Sequence, residues 1–149
     1  MYVAQLCSRN VATIRPSDEV VAAAQLMRER HVGYLVVVES DLAGALPVGV
    51  LTDRDIVIGV VARGVNPDSL RVRDVMSPTP VVVPELDSVE KAVQEMRRIG
   101  VRRMPVVDRQ GALTGVLSLD DVLDAVSSEL RDLAVAVRNE QGFENALHP

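Results

Sequence analysis

The chain has 149 residues, of which 48% are hydrophobic and 25% are charged, a composition typical of an ordinary folded protein with a real core. The formal net charge of −5 and the aromatic content of 2% argue against a nucleic-acid surface, because such surfaces depend on clustered Lys and Arg and on aromatic stacking platforms. No apolar run approaches the roughly 20 residues of a membrane span, and Met1 to Gln5 lack the basic flank and apolar stretch of a signal peptide. We therefore expect a cytoplasmic protein that contacts neither membrane nor nucleic acid.

The chain consists of two copies of one unit, which is the first pattern to look for in any sequence. Matching pairs at an offset of 69 include residues 11–14 with 80–83, Val20 with Val89 and Met27 with Met96. Gly49 to Asp55 then match Gly115 to Asp121 at an offset of 66. The first copy therefore carries three extra residues, which we place between Glu39 and Val48.

In chain order, the first copy predicts strand, helix, strand, strand and helix. A short strand at Val11 to Ile14 is followed by a helix that Pro16, Ser17 and Asp18 open, and the apolar stripe of this helix is Val20, Ala23, Ala24 and Met27. The β-branched run Tyr34 to Val38, a turn at Gly44 and the run Val48 to Leu51 predict an antiparallel pair of strands. A second helix begins at Thr52 and carries Ile56, Val57 and Val60 on one face.

The second copy predicts the same elements in the same order. Asp87 is the expected N-cap of its first helix, because Glu90 follows three residues later. Two strands, Met104 to Val107 and Leu113 to Leu117, come next. The last helix begins at Ser118 and is expected to continue through Val137, while the polar tail beyond Asn139 is expected to fray.

A unit of this size has an apolar sheet face that it cannot cover alone, and two tandem copies cover each other. We therefore expect an α+β fold of tandem β-α-β-β-α repeats with pseudo-twofold packing, divided into residues 1–66 and 67–149. The remaining apolar helix face is expected to pack against a second chain in a homodimer, and its residues are Ile56, Val60, Val122 and Val126.

A doubled motif stands at each strand-to-helix junction: Gly-Val-Leu-Thr-Asp-Arg-Asp at 49–55 and Gly-Val-Leu-Ser-Leu-Asp-Asp at 115–121. One interpretation is a helix cap, with the hydroxyl of Thr52 or Ser118 at the N-cap and an acid three residues on. The other is a ligand site, in which Asp55 or Asp121 points its short carboxylate outward to two ribose hydroxyls while the free N–H groups face a phosphate. The two roles can coexist.

This doubled motif, with Arg-Arg-Met-Pro-Val-Val-Asp at 102–108, resembles tandem cystathionine-beta-synthase (CBS) domains, the Bateman module, and in particular small bacterial proteins made of this pair alone. The resemblance covers nearly the whole chain. It implies a regulatory protein, not an enzyme, that binds AMP, ADP or ATP in the cleft between the repeats as a regulatory ligand and needs no cofactor. A change of shape or of the dimer would then signal to an unidentified protein target.

In the family each site is shared by both copies. Carried onto this chain, the resemblance implies a first site in which ribose and phosphate contact Gly115, Ser118, Asp120 and Asp121. The base would lie near Cys7, Ala12, Gly33 and Tyr34, and the Arg103 side chain would reach the phosphate. The mirror site would use Gly49, Thr52, Asp53, Arg54 and Asp55, with the backbone of Met76, Val81, Arg102 and Arg103 opposite. Tyr34 occupies the position that matches Arg103, so we expect the first site to be the tighter one. Arg102 and Arg103 are alternatively solvated surface residues.

Three other functions remain to be compared with this one. The module could be a ligand-independent interaction or oligomerisation protein, or it could bind S-adenosylmethionine. A thiol enzyme would need Cys7 as nucleophile and His31 as base, but nothing in the sequence orients them, so no catalytic residues are assigned. With one Cys and two His, the chain is expected to have neither an internal disulfide nor a metal site.

Overall fold

Two antiparallel hairpins, one from each repeat, form the centre of the fold in the computed structural model, which describes residues 1–148. The first pairs β2 (Tyr34–Asp41) with β3 (Gly44–Thr52), and the second pairs β6 (Arg103–Val107) with β7 (Leu113–Ser118). On the outer side of each hairpin a short strand pairs in parallel, β1 (Thr13–Ile14) with β2 and β5 (Val83–Pro84) with β6. β4 (Ser77–Pro78) completes the first sheet beside β3. These two sheets confirm the predicted α+β fold of tandem repeats.

Each sheet carries one amphipathic helix, α2 (Val20–Arg30) or α5 (Val89–Ile99). Their buried residues belong to the apolar stripes expected from the sequence, except that Ala24 of the first stripe is exposed, and both helices end at a residue in the left-handed conformation, His31 or Gly100. The predicted N-cap at Asp87 is wrong by one residue. Ser88 caps α5, because its Oγ accepts from the Lys91 N–H at 3.2 Å. The Asp87 carboxylate instead pairs with Lys91 Nζ at 2.8 Å.

The three extra residues of the first copy lengthen its hairpin. β2 and β3 have 8 and 9 residues, whereas β6 and β7 have 5 and 6. Asp41 Oδ1 accepts from the N–H groups of Ala43 and Gly44 at 2.7 and 3.2 Å, and Gly44 adopts a φ of 123°. The predicted turn at Gly44 is therefore confirmed, at the end of a longer hairpin than the sequence indicated.

The two repeats exchange their leading segments. α1 (Val3–Leu6) contributes Val3 to the core of the second half, where it lies fully buried beside Met104 and Leu117. α4 (Val72–Val75) contributes Val72 to the core of the first half, beside Leu35. Backbone hydrogen bonds of 2.9 Å fix both segments, Val3 N–H to the Asp87 carbonyl and Val72 N–H to the Asp18 carbonyl. The division at residues 66 and 67 stays a prediction.

The helices that follow the two motifs differ in length. α3 (Asp53–Ile56) runs directly into a π-helical turn at Val57–Val61, whereas α6 (Leu119–Leu147) is a single helix of 29 residues. α6 continues beyond Asn139 to Leu147, where a frayed polar tail was expected, and the residues of this last stretch are exposed. Between residues 1 and 148, no helix has the length and apolar character to cross a membrane.

The expected dimer face also needs a correction. Val60 and Val122 are buried within the chain, because their side chains turn inward toward the body of the protein, so they are not available to a second chain. The apolar residues that do face outward on these helices include Val57, Ile58, Leu123 and Val126. Val126 of the expected set thus faces outward, and Val57, Ile58 and Leu123 extend the exposed apolar face at neighbouring positions.

Candidate functional site

Both motifs form complete capping boxes at the start of their helices. Thr52 Oγ1 accepts from the Asp55 N–H at 3.1 Å, and Asp55 Oδ2 accepts from the Thr52 N–H at 2.9 Å. In the second repeat, Ser118 Oγ accepts from the Asp121 N–H at 3.1 Å, and Asp121 Oδ2 accepts from the Ser118 hydroxyl at 2.6 Å. Within residues 1–148, Oδ1 of each carboxylate accepts no hydrogen bond. Each half-buried aspartate therefore caps its helix with one oxygen, while its other oxygen is a hydrogen-bond acceptor without a partner in residues 1–148.

The motif glycines allow the exchanged segments to cross the sheets. A Cβ on Gly115 would lie 2.8 Å from both Cys7 Sγ and the Ser8 carbonyl oxygen, and a Cβ on Gly49 would lie 2.6 Å from Met76 Sδ. Cys7 and Met76 occupy matching positions in the two repeats. Gly49 and Gly115 are thus required for close backbone approach, and the structure gives them no place on a cleft wall.

The first cleft lies between the two repeats and has a volume of about 300 Å³. It brings together six of the residues expected there: Ala12, Gly33, Tyr34, Arg103, Ser118 and Asp121. Cys7 and Asp120 do not line it. The Cys7 side chain packs against the second core, and Asp120 turns away to pair with Arg102 at 3.2 Å.

Sequence reasoning missed several residues on the wall of this first cleft: Ser8, Asn10, Val11, His31, Val32 and Val116. Most of them are sequence neighbours of residues that were expected. The repeat comparison predicts which strands meet at the cleft, but it does not show how far along each strand the wall extends.

The second cleft is larger, about 630 Å³, and lies on the other side of the pseudo-twofold axis. The expected residues that line it are Thr52, Arg54, Asp55, Val81, Arg102 and Arg103. Asp53 does not line it, because its Oδ1 accepts from the Arg54 N–H at 2.8 Å and its carboxylate fills the space in front of Gly33. The residues that sequence reasoning missed are Tyr34, Val50, Ser77 to Pro80, Ile99 to Val101 and Pro105.

Arg103 and Tyr34 line both clefts. Cζ of Arg103 lies 5.7 Å from the centre of the Tyr34 ring, a cation–π contact. Burial raises the pKa of Tyr34 above its ordinary value, and the positive charge of Arg103 opposes this only in part, so the phenol is neutral at pH 7. The sequence-based reason for a tighter first site fails here, because the cation expected in one cleft reaches the wall of both.

The Cys7 thiol does not have the environment of a nucleophile. Burial raises its pKa, which lowers the fraction of reactive thiolate at neutral pH. His31 lies on the wall of the first cleft, but Cys7 does not. The pair is therefore not arranged as a catalytic dyad within a common cavity.

The family model of the CBS domain matches the chain twice, over residues 3–61 and 72–128. An uncharacterized protein of Methanopyrus kandleri, MK0525, is 40% identical over 122 residues, which make up 81% of this chain and 60% of that protein. The chain thus spans less than two thirds of MK0525. The CBS domain-containing protein YhcV of Bacillus subtilis is 39% identical over 112 residues, 75% of this chain and 76% of that protein.

Solved structures give the same picture. A CBS domain protein from Pyrobaculum aerophilum, PAE2072, complexed with AMP, is similar with a TM-score of 0.71 at 27% identity, over 81% of this chain and 89% of that one. CBSX2 in complex with AMP has a TM-score of 0.71 at 27% identity, over 85% and 96%. A hexameric CBS-CP12 protein from bloom-forming cyanobacteria has a TM-score of 0.72 at 32% identity, over 83% and 66%. With both repeats matched and the fold in agreement, this chain belongs to the CBS domain family and contains a tandem pair of its domains.

Proposed function

We propose that this protein is a regulatory module, not an enzyme, that binds AMP, ADP or ATP between its two CBS domains. The observation that carries the proposal is the first cleft, where a free carboxylate oxygen, a helix N-terminus and a cation converge on one cavity with apolar walls. The AMP complexes of PAE2072 and CBSX2 support the same class of ligand. No cofactor is expected to be required.

Each part of a nucleotide has a suitable partner in this cleft. The free Oδ1 of Asp121 is an acceptor for ribose hydroxyls, since a carboxylate accepts up to two hydrogen bonds at one oxygen. The N-terminus of α6 and the guanidinium of Arg103 attract phosphate. The small side chain of Ala12 leaves space for the flat base on the opposite wall.

Signalling follows from the position of the cleft between the two halves. A ligand that contacts Asp121 of one repeat and Gly33 of the other binds best when both walls are correctly spaced. Binding therefore shifts the relative position of the repeats, and a dimer interface or a separate protein target responds to that shift. The homodimer, the protein target and the cytoplasmic location are part of this proposal.

The second candidate function is ligand-independent assembly. Its specific support is α6, whose outer surface exposes Leu123, Leu130 and Leu133. Light scattering at tens of micromolar tests the dimer, and a particle of monomer mass would contradict it.

A thermal-shift screen with AMP, ADP, ATP and S-adenosylmethionine at millimolar concentration separates the candidates. A ligand at 100 times its Kd adds about 2.7 kcal/mol of stability, which for a chain of this size raises Tm by roughly 5 to 10 °C. We expect that shift with an adenine nucleotide. If none of the four compounds raises Tm, the assembly function is favoured. If S-adenosylmethionine alone raises Tm, it takes the place of the adenine nucleotide as the proposed ligand.

A further inference from the structure

Arg103 and Tyr34 occupy matching positions in the two repeats, as the first residues of β6 and β2. They also contact each other, with Cζ of Arg103 5.7 Å from the ring centre. Two equivalent residues that meet must lie beside the pseudo-twofold axis. This is why the same pair of side chains forms part of the wall of both clefts.

The charges on the two walls are unequal. Within residues 1–148, Arg103 is the only Lys or Arg on the wall of the first cleft, whereas the second also has Arg54 and Arg102. Arg102 is already paired with Asp120 at 3.2 Å. Arg103 is exposed, has no ion-pair or hydrogen-bond partner in the described part of the chain, and rests only on the Tyr34 ring. Its guanidinium is therefore free to turn toward either cleft.

We propose that Arg103 is a phosphate-binding residue shared by the two clefts, so that a nucleotide bound in one cleft weakens binding in the other. This inference rests on the proposed function and adds a coupling between its sites. A phosphate monoester carries a charge of about −1.5 to −2 at pH 7. A second phosphate that approaches the axis meets a guanidinium that is already neutralised, and it is repelled by the first phosphate.

We expect the first cleft, which has about half the volume of the second, to fill first. Arg103 then turns toward it, and the second cleft keeps only Arg54 and the paired Arg102. The protein thus responds to nucleotide concentration in two separate steps.

Calorimetric titration with AMP tests this in two backgrounds, each with one cleft impaired. Asp55→Ala leaves the first cleft intact, and Asp121→Ala leaves the second. If Arg103 serves both, Arg103→Gln weakens AMP binding at least about tenfold in each background. Arg97→Gln removes an equal charge from an exposed site on α5 that lines neither cleft, and it should change neither affinity.

The coupling has its own measurement. In the unmodified protein the second AMP should bind at least about tenfold more weakly than AMP binds to the second cleft of Asp121→Ala, in which the first cleft is impaired. Adenosine, which has no phosphate, should show no such penalty. Equal affinities in these two titrations, or an effect of Arg103→Gln in one background only, would overturn the inference while leaving the proposed function in place. No AMP binding to the unmodified protein would refute both.

Discussion

Asp121→Ala is the substitution that most directly tests the proposed ligand contact. The wild-type carboxylate has two separable roles, since Oδ2 completes the capping box with Ser118 and Oδ1 is free. Loss of the carboxylate half of the box, while Ser118 still accepts from the backbone N–H of residue 121, costs up to about 1 kcal/mol of folding stability. Loss of a hydrogen bond between the charged carboxylate and a ribose hydroxyl costs about 1.5 to 3 kcal/mol of binding free energy. We therefore expect AMP binding to weaken at least about tenfold, equivalent to roughly 1.4 kcal/mol.

Asp55→Ala is the matched control, because Asp55 makes the same capping box with Thr52 and its loss costs the fold the same amount. Its effect on the tighter AMP transition should be smaller, since we expect that transition to belong to the first cleft, which Asp55 does not line. Calorimetry well below Tm measures both affinities, and Asp121→Asn, which keeps a side-chain acceptor for the cap, separates stability from binding. Equal losses from the two alanine variants would show that the clefts are equivalent. If Asp121→Ala binds AMP with unchanged affinity, Asp121 caps the helix but does not contact the ligand.

Three further outcomes follow from the structure. Gly115→Ala should lower the free energy of unfolding by about 1 to 3 kcal/mol, because the added Cβ meets the Ser8 backbone at 2.8 Å. Gly142→Ala, whose added Cβ has nothing within 4 Å, should raise the free energy of unfolding by up to about 1 kcal/mol. Urea melts measure both changes, and equal effects of the two substitutions would contradict the close approach at Gly115. Alkylation of Cys7 by iodoacetamide should be slower than that of a free thiol at pH 7, and because its pKa is raised, its rate should still be rising at the pH where the free thiol's rate levels off. A rate at pH 7 as fast as the free thiol's would contradict the burial. A generic DNA duplex should show no submicromolar mobility shift at physiological salt, because the net charge is −5.

The fold was predictable from the sequence because it is encoded twice. Each repeat presents the same apolar spacing, and the two patterns support each other where one alone would be ambiguous. The exchange of α1 and α4 was not predictable, because a four-residue segment such as Val3–Leu6 has no periodicity that indicates which sheet it covers. Only the three-dimensional packing shows that Val3 belongs to the second core.

The site was predictable at the level of the motif and less so at the level of individual side chains. Ser118 and Asp121 lie in the cleft because a strand-to-helix junction fixes their positions. Asp53 and Asp120 belong to the same motifs, but they point elsewhere because successive residues on a helix face different directions. The reach of Arg103 into both clefts depends on a long flexible side chain beside the axis, which no sequence pattern encodes.

The exchange of leading segments bears on the order in which the chain folds during synthesis. α1 leaves the ribosome early, but the core that buries Val3 also contains Val83, Met104 and Leu117. At about 5 to 20 residues per second, α1 waits on the order of ten seconds for its binding site to be made. During that interval the first repeat must hold its sheet together without α4, whose Val72 is translated only after the whole first hairpin. Neither repeat can therefore finish its core before the other has been started, and the pair matures as one unit.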